Sequence, residues 1–301
     1  MSRGPGESAG RSTRLDDPTR TPLTERHDNR ERVGIRRAHL IGGVAVVGLA
    51  VVALVVMARS PSPVVPPECR FASIATGDTY SITPAQAQNA SIIAAVALRK
   101  GMADHAVTVA LATSLQETQL RNLSYGDLDS LGLFQQRPSE GWGTSAQIMD
   151  PNYAASSFYD HLAQVSGWQA MAVTQAAQLV QHSATPDAYA AWETEARSLA
   201  RVLTGEIPTG VSCHLDSFGG LTPAPTALEQ AATTEMGAQL IGAPVSAKLG
   251  WQVASWAVAH AYNYHLTSVS FDGWRWTVAS GAWKPIAASG PATVQITMGV
   301  V

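Results

Sequence analysis

Apolar residues are spread very unevenly along this chain. Leu40 to Ala58 runs for nineteen residues without a charge and is dominated by Val, Leu, Ala and Gly. As a helix it would measure about 28 Å, close to the hydrocarbon thickness of a bilayer, so the pattern predicts one transmembrane helix within residues 38–59. Ahead of it, residues 1–37 carry nine arginines against six acids and few apolar side chains. No core can form from such a segment, and it is expected to be disordered. Arginines crowd the N-terminal flank of the apolar run, which places that end in the cytoplasm and everything after Arg59 outside. The expected localisation is therefore the plasma membrane, single-pass and N-in, with the lipid bilayer contacted through residues 40–58. A cleaved export signal is the alternative, because Val56-Met57-Ala58 suits a signal peptidase and Arg36-Arg37 is weakly similar to a twin-arginine signal. The length of the apolar run favours retention.

Beyond the span the pattern changes several times. Residues 60–82 open on Ser60-Pro61-Ser62-Pro63 and Pro66-Pro67, which predicts a stiff extended spacer. Thr83-Pro84-Ala85-Gln86 then supplies an N-cap, a first-turn proline and a capping Gln, and Arg99-Lys100-Gly101 supplies a stop. A second helix is predicted from about 103 to 120, with Asp104 as its cap and no charge between His105 and Glu117. Apolar on all sides, it belongs in the centre of a core. Asp150-Pro151 and Thr185-Pro186 predict two further helix starts, the first leading Phe158, Tyr159 and Leu162, the second Tyr189, Trp192, Leu199 and Val202. Residues 83–204 thus read as a mostly helical domain, followed by a Gly/Pro/Ser/Thr-rich linker at 205–226. In residues 227–301, helical stretches near 227–241 and 246–262 precede Asp272-Gly273, a hairpin signal between apolar-aromatic runs, and Val294, Ile296 and Met298 alternate as in a strand. The fold class expected is mainly α, with a small C-terminal α+β module.

Charge and cysteine narrow the partners. After Arg59 there are ten Lys plus Arg against seventeen Asp plus Glu, so the exported part is acidic and no nucleic-acid partner is expected. Cys69 and Cys213 are the two cysteines, and both fall on the exported side, where a disulfide persists. One bridge would tie together the two ends of the helical domain; two unpaired thiols are the alternative. The eight histidines include no HExxH pattern and no cysteine-rich cluster. Neither a metal nor a cofactor is indicated.

Candidate chemistry centres on Glu117. It stands at the C-terminal end of the buried second helix, where apolar packing and the negative end of the helix dipole both oppose ionisation. A carboxylic acid kept neutral near pH 7 is what cleavage of a glycosidic bond requires of a proton donor. A solvated helix-end Glu is the plain alternative. Asp127 and Asp129 would be the second carboxylate of a true hydrolase, although acids in such a loop are commonly turn formers. Trp142, within Gly141-Trp142-Gly143-Thr144, offers an indole either for stacking on a pyranose or for the core.

The run Gln116-Glu117-Thr118-Gln119-Leu120-Arg121-Asn122 followed by Ser130-Leu131-Gly132-Leu133-Phe134-Gln135-Gln136-Arg137-Pro138 resembles the lysozyme-like domain of soluble lytic transglycosylases. Together with Gly141-Trp142-Gly143-Thr144, it is similar to a subgroup of actinobacterial cell-wall proteins. The resemblance covers about 80 residues. It implies a lysozyme-like helical domain acting on the glycan strands of peptidoglycan, with Glu117 as acid and then base. It also implies that the loop carrying Phe134 lines the sugar cleft, with Gln135, and secondarily Gln136, positioning the substrate. Where the family carries Ser followed by Gly-Ala, this chain has Gly126 and Asp129-Ser130. Where it carries Ala-Tyr-Asn-Ala-Gly, this chain has Leu179-Val180-Gln181-His182-Ser183, which makes Gln181 the substitute. The region around Trp256, Val269-Ser270, Asp272-Gly273 and Trp276 is faintly similar to the tail of some peptidoglycan peptidases. The function expected is a membrane-anchored lytic transglycosylase. A muramidase-type hydrolase and a non-catalytic wall-binding scaffold are the alternatives, and protein partners are not legible.

Overall fold

The computed structural model describes residues 66–299 apart from 184–186, 217, 219–223 and 288–291. The expected tail (1–37), the expected span (38–59) and the Thr185-Pro186 helix start lie outside the described residues. Among the described residues no helix is long and apolar enough to cross a membrane. About half of them are helical, and together they belong to a single compact unit.

Helix α1 (Pro84–Arg99) starts where the capping pattern requires, with Thr83 and Gln86 bonded reciprocally and Pro84 in the first turn. Helix α2 (Asp104–Thr118) is buried along most of its length. Its N-cap is Ala103, which makes no side-chain cap bond. Asp104 instead sits in the first turn, where its carboxylate favours the helix dipole and pairs with Lys248 at 2.6 Å. Helices α3 (Ser145–Ile148), α4 (Pro151–Gln164), α5 (Val173–Gln181) and α6 (Glu193–Leu203) follow, with a short 3-10 turn at Ala188–Trp192 ahead of α6. Asp150 caps α4 as expected, by accepting from the Asn152 N–H. Helix α2 lies against α5 and α6, and α1 against α4, where the Tyr159 hydroxyl donates to the Ile93 carbonyl at 3.0 Å.

The segments expected as spacer and linker are partly strands. Strand β1 (Glu68–Ala72) pairs antiparallel with β2 (Thr79–Ile82) and with β3 (Val211–His214), in the order β2-β1-β3. The reason is a short period-2 pattern: Cys69 and Phe71 point into the core while Arg70 is exposed. Cys69 and Cys213 face each other across β1 and β3 and form the disulfide. The chain on either side of the helical region is therefore joined both by a ladder and by a covalent bond.

Helix α7 (Pro225–Met236) and helix α8 (Ala247–Tyr264) both pack against α1, so the C-terminal residues belong to the same unit as the helices before them. After α8 comes a four-stranded antiparallel sheet in the order β6-β5-β4-β7, made of β4 (Leu266–Phe271), β5 (Trp274–Thr277), β6 (Ala282–Pro285) and β7 (Gln295–Met298). Asp272 and Gly273, both at positive φ, make the tight β4–β5 turn. Strand β6 was not among the expected elements.

Helices α1, α7 and α8 meet in a buried polar cluster. Glu235 accepts from the Trp256 indole N–H at 2.6 Å and lies 3.2 Å from His260 Nε2, while His260 Nδ1 lies 3.2 Å from the Ser91 hydroxyl. A buried carboxylate that accepts an indole N–H and lies beside an imidazole is costly to delete. Glu235→Ala is expected to destabilise the chain by roughly 2–4 kcal/mol in denaturant unfolding. Glu235→Gln, whose amide oxygen still accepts from Trp256, should recover part of the loss.

Candidate active site

The C-terminal end of α2 is shaped by two consecutive non-glycine residues in the left-handed region, Gln119 (φ 54°) and Leu120 (φ 61°). Their carbonyls are satisfied from α1: Gln86 donates to Gln119 at 2.7 Å and Asn89 donates to Leu120 at 2.8 Å. This reversal ends the helix just past Glu117, and the chain then enters the 122–137 loop.

A tight turn at 131–136 is fastened onto the helix end. The Ser114 and Thr118 hydroxyls both donate to the Leu133 carbonyl, at 3.1 and 2.9 Å. Leu131 and Gln136 exchange backbone hydrogen bonds, and the Gly132 N–H donates to Leu123 at 2.7 Å. Gly132 has φ +76°, and a Cβ there would stand 2.6 Å from the Ile148 carbonyl oxygen, so a side chain is excluded on both counts.

Glu117 is half-buried at the seam between this turn and helix α5. Its carboxylate accepts from the Tyr189 hydroxyl at 2.8 Å and from the Gln181 side chain. Gln181 also donates to the Phe134 carbonyl at 2.7 Å, so one amide links the carboxyl to the turn. Burial pushes the Glu117 carboxyl above the usual range, and the hydrogen bonds from Tyr189 and Gln181 draw it partly back. Tyr189 is fully buried, and its phenol is raised far above its usual range by burial first and then by the adjacent carboxyl. It remains a neutral donor. Trp192 on the same 3-10 turn donates to Gln116 at 2.8 Å, fixing the turn to α2.

Of the expected site residues, the structure brings together Glu117, Gln181 and the turn carrying Gln135. Gln135 is half-buried with φ +50°, and its amide donates to the carbonyls of Tyr125 at 3.3 Å and Gly132 at 3.4 Å. Three other expectations need correction. The Phe134 ring is fully buried and stacked on Phe158 at 4.7 Å, so only its carbonyl serves the site. Gln136 is buried and donates to the Ala154 carbonyl at 3.1 Å, which makes it a brace between the turn and α4. Trp142 is buried with its ring 4.0 Å from that of His161, so the core half of the earlier alternative applies.

The two candidate second carboxylates differ. Asp129 accepts from the Ser139 N–H at 2.8 Å, from Arg137 at 2.9 Å and from the Ser139 hydroxyl at 2.9 Å. The Ser139 N–H and then Arg137 pull its pKa down to about 2. It is a loop clamp, its oxygens already committed. Asp127 is exposed, and its carbonyl accepts from the Ser130 N–H. Tyr189 was expected only as one of the residues carried by the helix after Thr185-Pro186. A buried tyrosine hydroxyl must find a partner, but nothing in the sequence assigns that partner across 72 residues.

The chain matches no protein-family model and no curated protein. Among the described residues no three His, Cys, Asp or Glu side chains are gathered as a metal ion would require.

The raised Glu117 pKa has a stability consequence. The folded chain holds this proton more tightly than the unfolded chain, so the contribution favours folding at acid pH and is lost as pH rises through the raised folded value. Glu117→Gln removes that penalty and keeps an acceptor for Tyr189. Thermal melts should find the variant at least as stable as the parent at about pH 8, with the difference shrinking below about pH 4, the ordinary Glu range.

Proposed function

We propose that this chain cleaves the glycan strands of peptidoglycan by a lytic transglycosylase reaction on a lysozyme-like helical domain, with Glu117 as general acid and then general base. The observation that carries the proposal is the environment of one carboxyl group. Burial favours its neutral form, while Tyr189 and Gln181 are placed to stabilise the charged form. A group balanced in that way suits a reaction that takes its proton and then returns it.

Glu117 donates its proton to the bridging oxygen between two aminosugars, and that C–O bond breaks. The 6-hydroxyl of the muramyl residue attacks its own anomeric carbon, and Glu117 takes the hydroxyl proton, leaving a 1,6-anhydro end. No water and no second carboxylate are consumed, which fits an Asp129 already engaged by Arg137 and Ser139. In this reading Gln181 orients the carboxyl, and the Gln135 amide holds the neighbouring loop through the Tyr125 and Gly132 carbonyls. The apolar run at 40–58 anchors the enzyme so that it works on the outer side of the plasma membrane.

The test is product analysis of purified peptidoglycan treated with the full chain. Anhydro-muramyl ends support the proposal. Reducing ends would assign the attack to water, as in a muramidase. Binding to peptidoglycan without any cleavage would favour a scaffold.

A further inference from the structure

The two most exposed large hydrophobic side chains among the described residues, Tyr125 (68% exposed) and Leu128 (75%), stand on the same loop. That loop joins the Glu117 helix to the 131–136 turn. Exposed apolar groups scattered singly need no explanation, but a pair held out on a braced loop does.

The loop is braced at several points. The Gln135 amide holds the Tyr125 carbonyl, and the Ser130 N–H holds the Asp127 carbonyl at 3.0 Å. Asp129 is fixed by Arg137 and twice by Ser139. Gly126 lies so close under the Gln135 amide that a Cβ there would stand 1.9 Å from its oxygen. Within this frame Leu128 sits at φ +55°, a region a branched side chain occupies only at a cost of roughly 1–2 kcal/mol. Glycine would relieve that cost, yet leucine is present and its side chain is turned to solvent. Burial in this fold explains neither residue.

We propose that Tyr125 and Leu128 form a preorganised apolar lip that grips the glycan strand, Tyr125 against the C–H face of a pyranose ring and Leu128 against the methyl group of an N-acetyl substituent. This rests on the glycan-cleaving reading above. The lip is continuous with the site: Glu117 bonds Gln181, Gln181 bonds the Phe134 carbonyl, and the next residue, Gln135, bonds the Tyr125 carbonyl. A rigid loop presents such contacts with little ordering cost on binding.

The experiment uses the full chain and glycan strands stripped of their stem peptides, so that only sugar contacts are read. Tyr125→Ala should raise KM roughly tenfold, the effect of losing one aromatic contact, with kcat within about twofold, while Tyr125→Phe stays near the parent. Leu128→Gly should raise KM about fivefold and at the same time raise thermal stability, because it relieves the backbone strain. A purely structural role would raise KM only together with a loss of thermal stability. Unchanged KM in both Tyr125→Ala and Leu128→Gly, with the parent enzyme active, overturns the lip alone. No cleavage by the parent overturns the glycan reading and the lip with it.

Discussion

Glu117→Gln is expected to lower glycan cleavage by roughly a hundred- to ten-thousandfold, the usual contribution of a positioned general acid or base, while leaving the fold intact. The substitution is nearly isosteric and keeps an oxygen to accept from Tyr189, so the hydrogen bond at 2.8 Å survives. It removes the one proton that the proposed reaction passes back and forth. Circular dichroism and a thermal melt should show a folded chain, which separates lost chemistry from lost structure. A variant that is folded and as active as the parent would mean that some other group donates the proton.

The second large effect concerns the Cys69–Cys213 bridge. Removing it as Cys69→Ala with Cys213→Ala is expected to destabilise the protein by about 4–5 kcal/mol, because the bridge closes a loop spanning 144 residues and restrains the unfolded chain strongly. Both cysteines are buried and opposed across β1 and β3. Two costs therefore combine, lost loop restraint and small cavities in the sheet. Denaturant unfolding of the double variant checks this. A change below about 1 kcal/mol would mean that the β1–β3 ladder holds the two segments without covalent help.

Helices with capping signals at their starts were legible in the sequence because their determinants are local. Thr83-Pro84-Ala85-Gln86 and Asp150-Pro151 each mark a helix start where one is observed. The Asp272-Gly273 turn is legible for the same reason. Strands β1 and β3 were obscured by prolines and glycines nearby, although the alternation of Glu68, Cys69, Arg70 and Phe71 carried a period-2 signal too short to stand out. Strand β6 is four residues long and is defined by pairing with β5, which no local pattern announces. In the site, Glu117 was legible from its place at the end of an apolar helix, and Gln181 only through the resemblance. Tyr189 was not legible as a site residue, because its role depends on a contact between segments distant in sequence. Phe134, Gln136 and Trp142 share a cause of error. Proximity in sequence to the 131–136 turn does not say which side of the backbone a side chain leaves from, and here these side chains face the core.

The most direct measurement is mass spectrometry of the soluble products released from purified peptidoglycan by the full chain, run beside Glu117→Gln. Fragments ending in 1,6-anhydro-muramyl residues from the parent, absent with the variant, are the predicted result. Equal product from both, or none from a folded parent, would contradict the account.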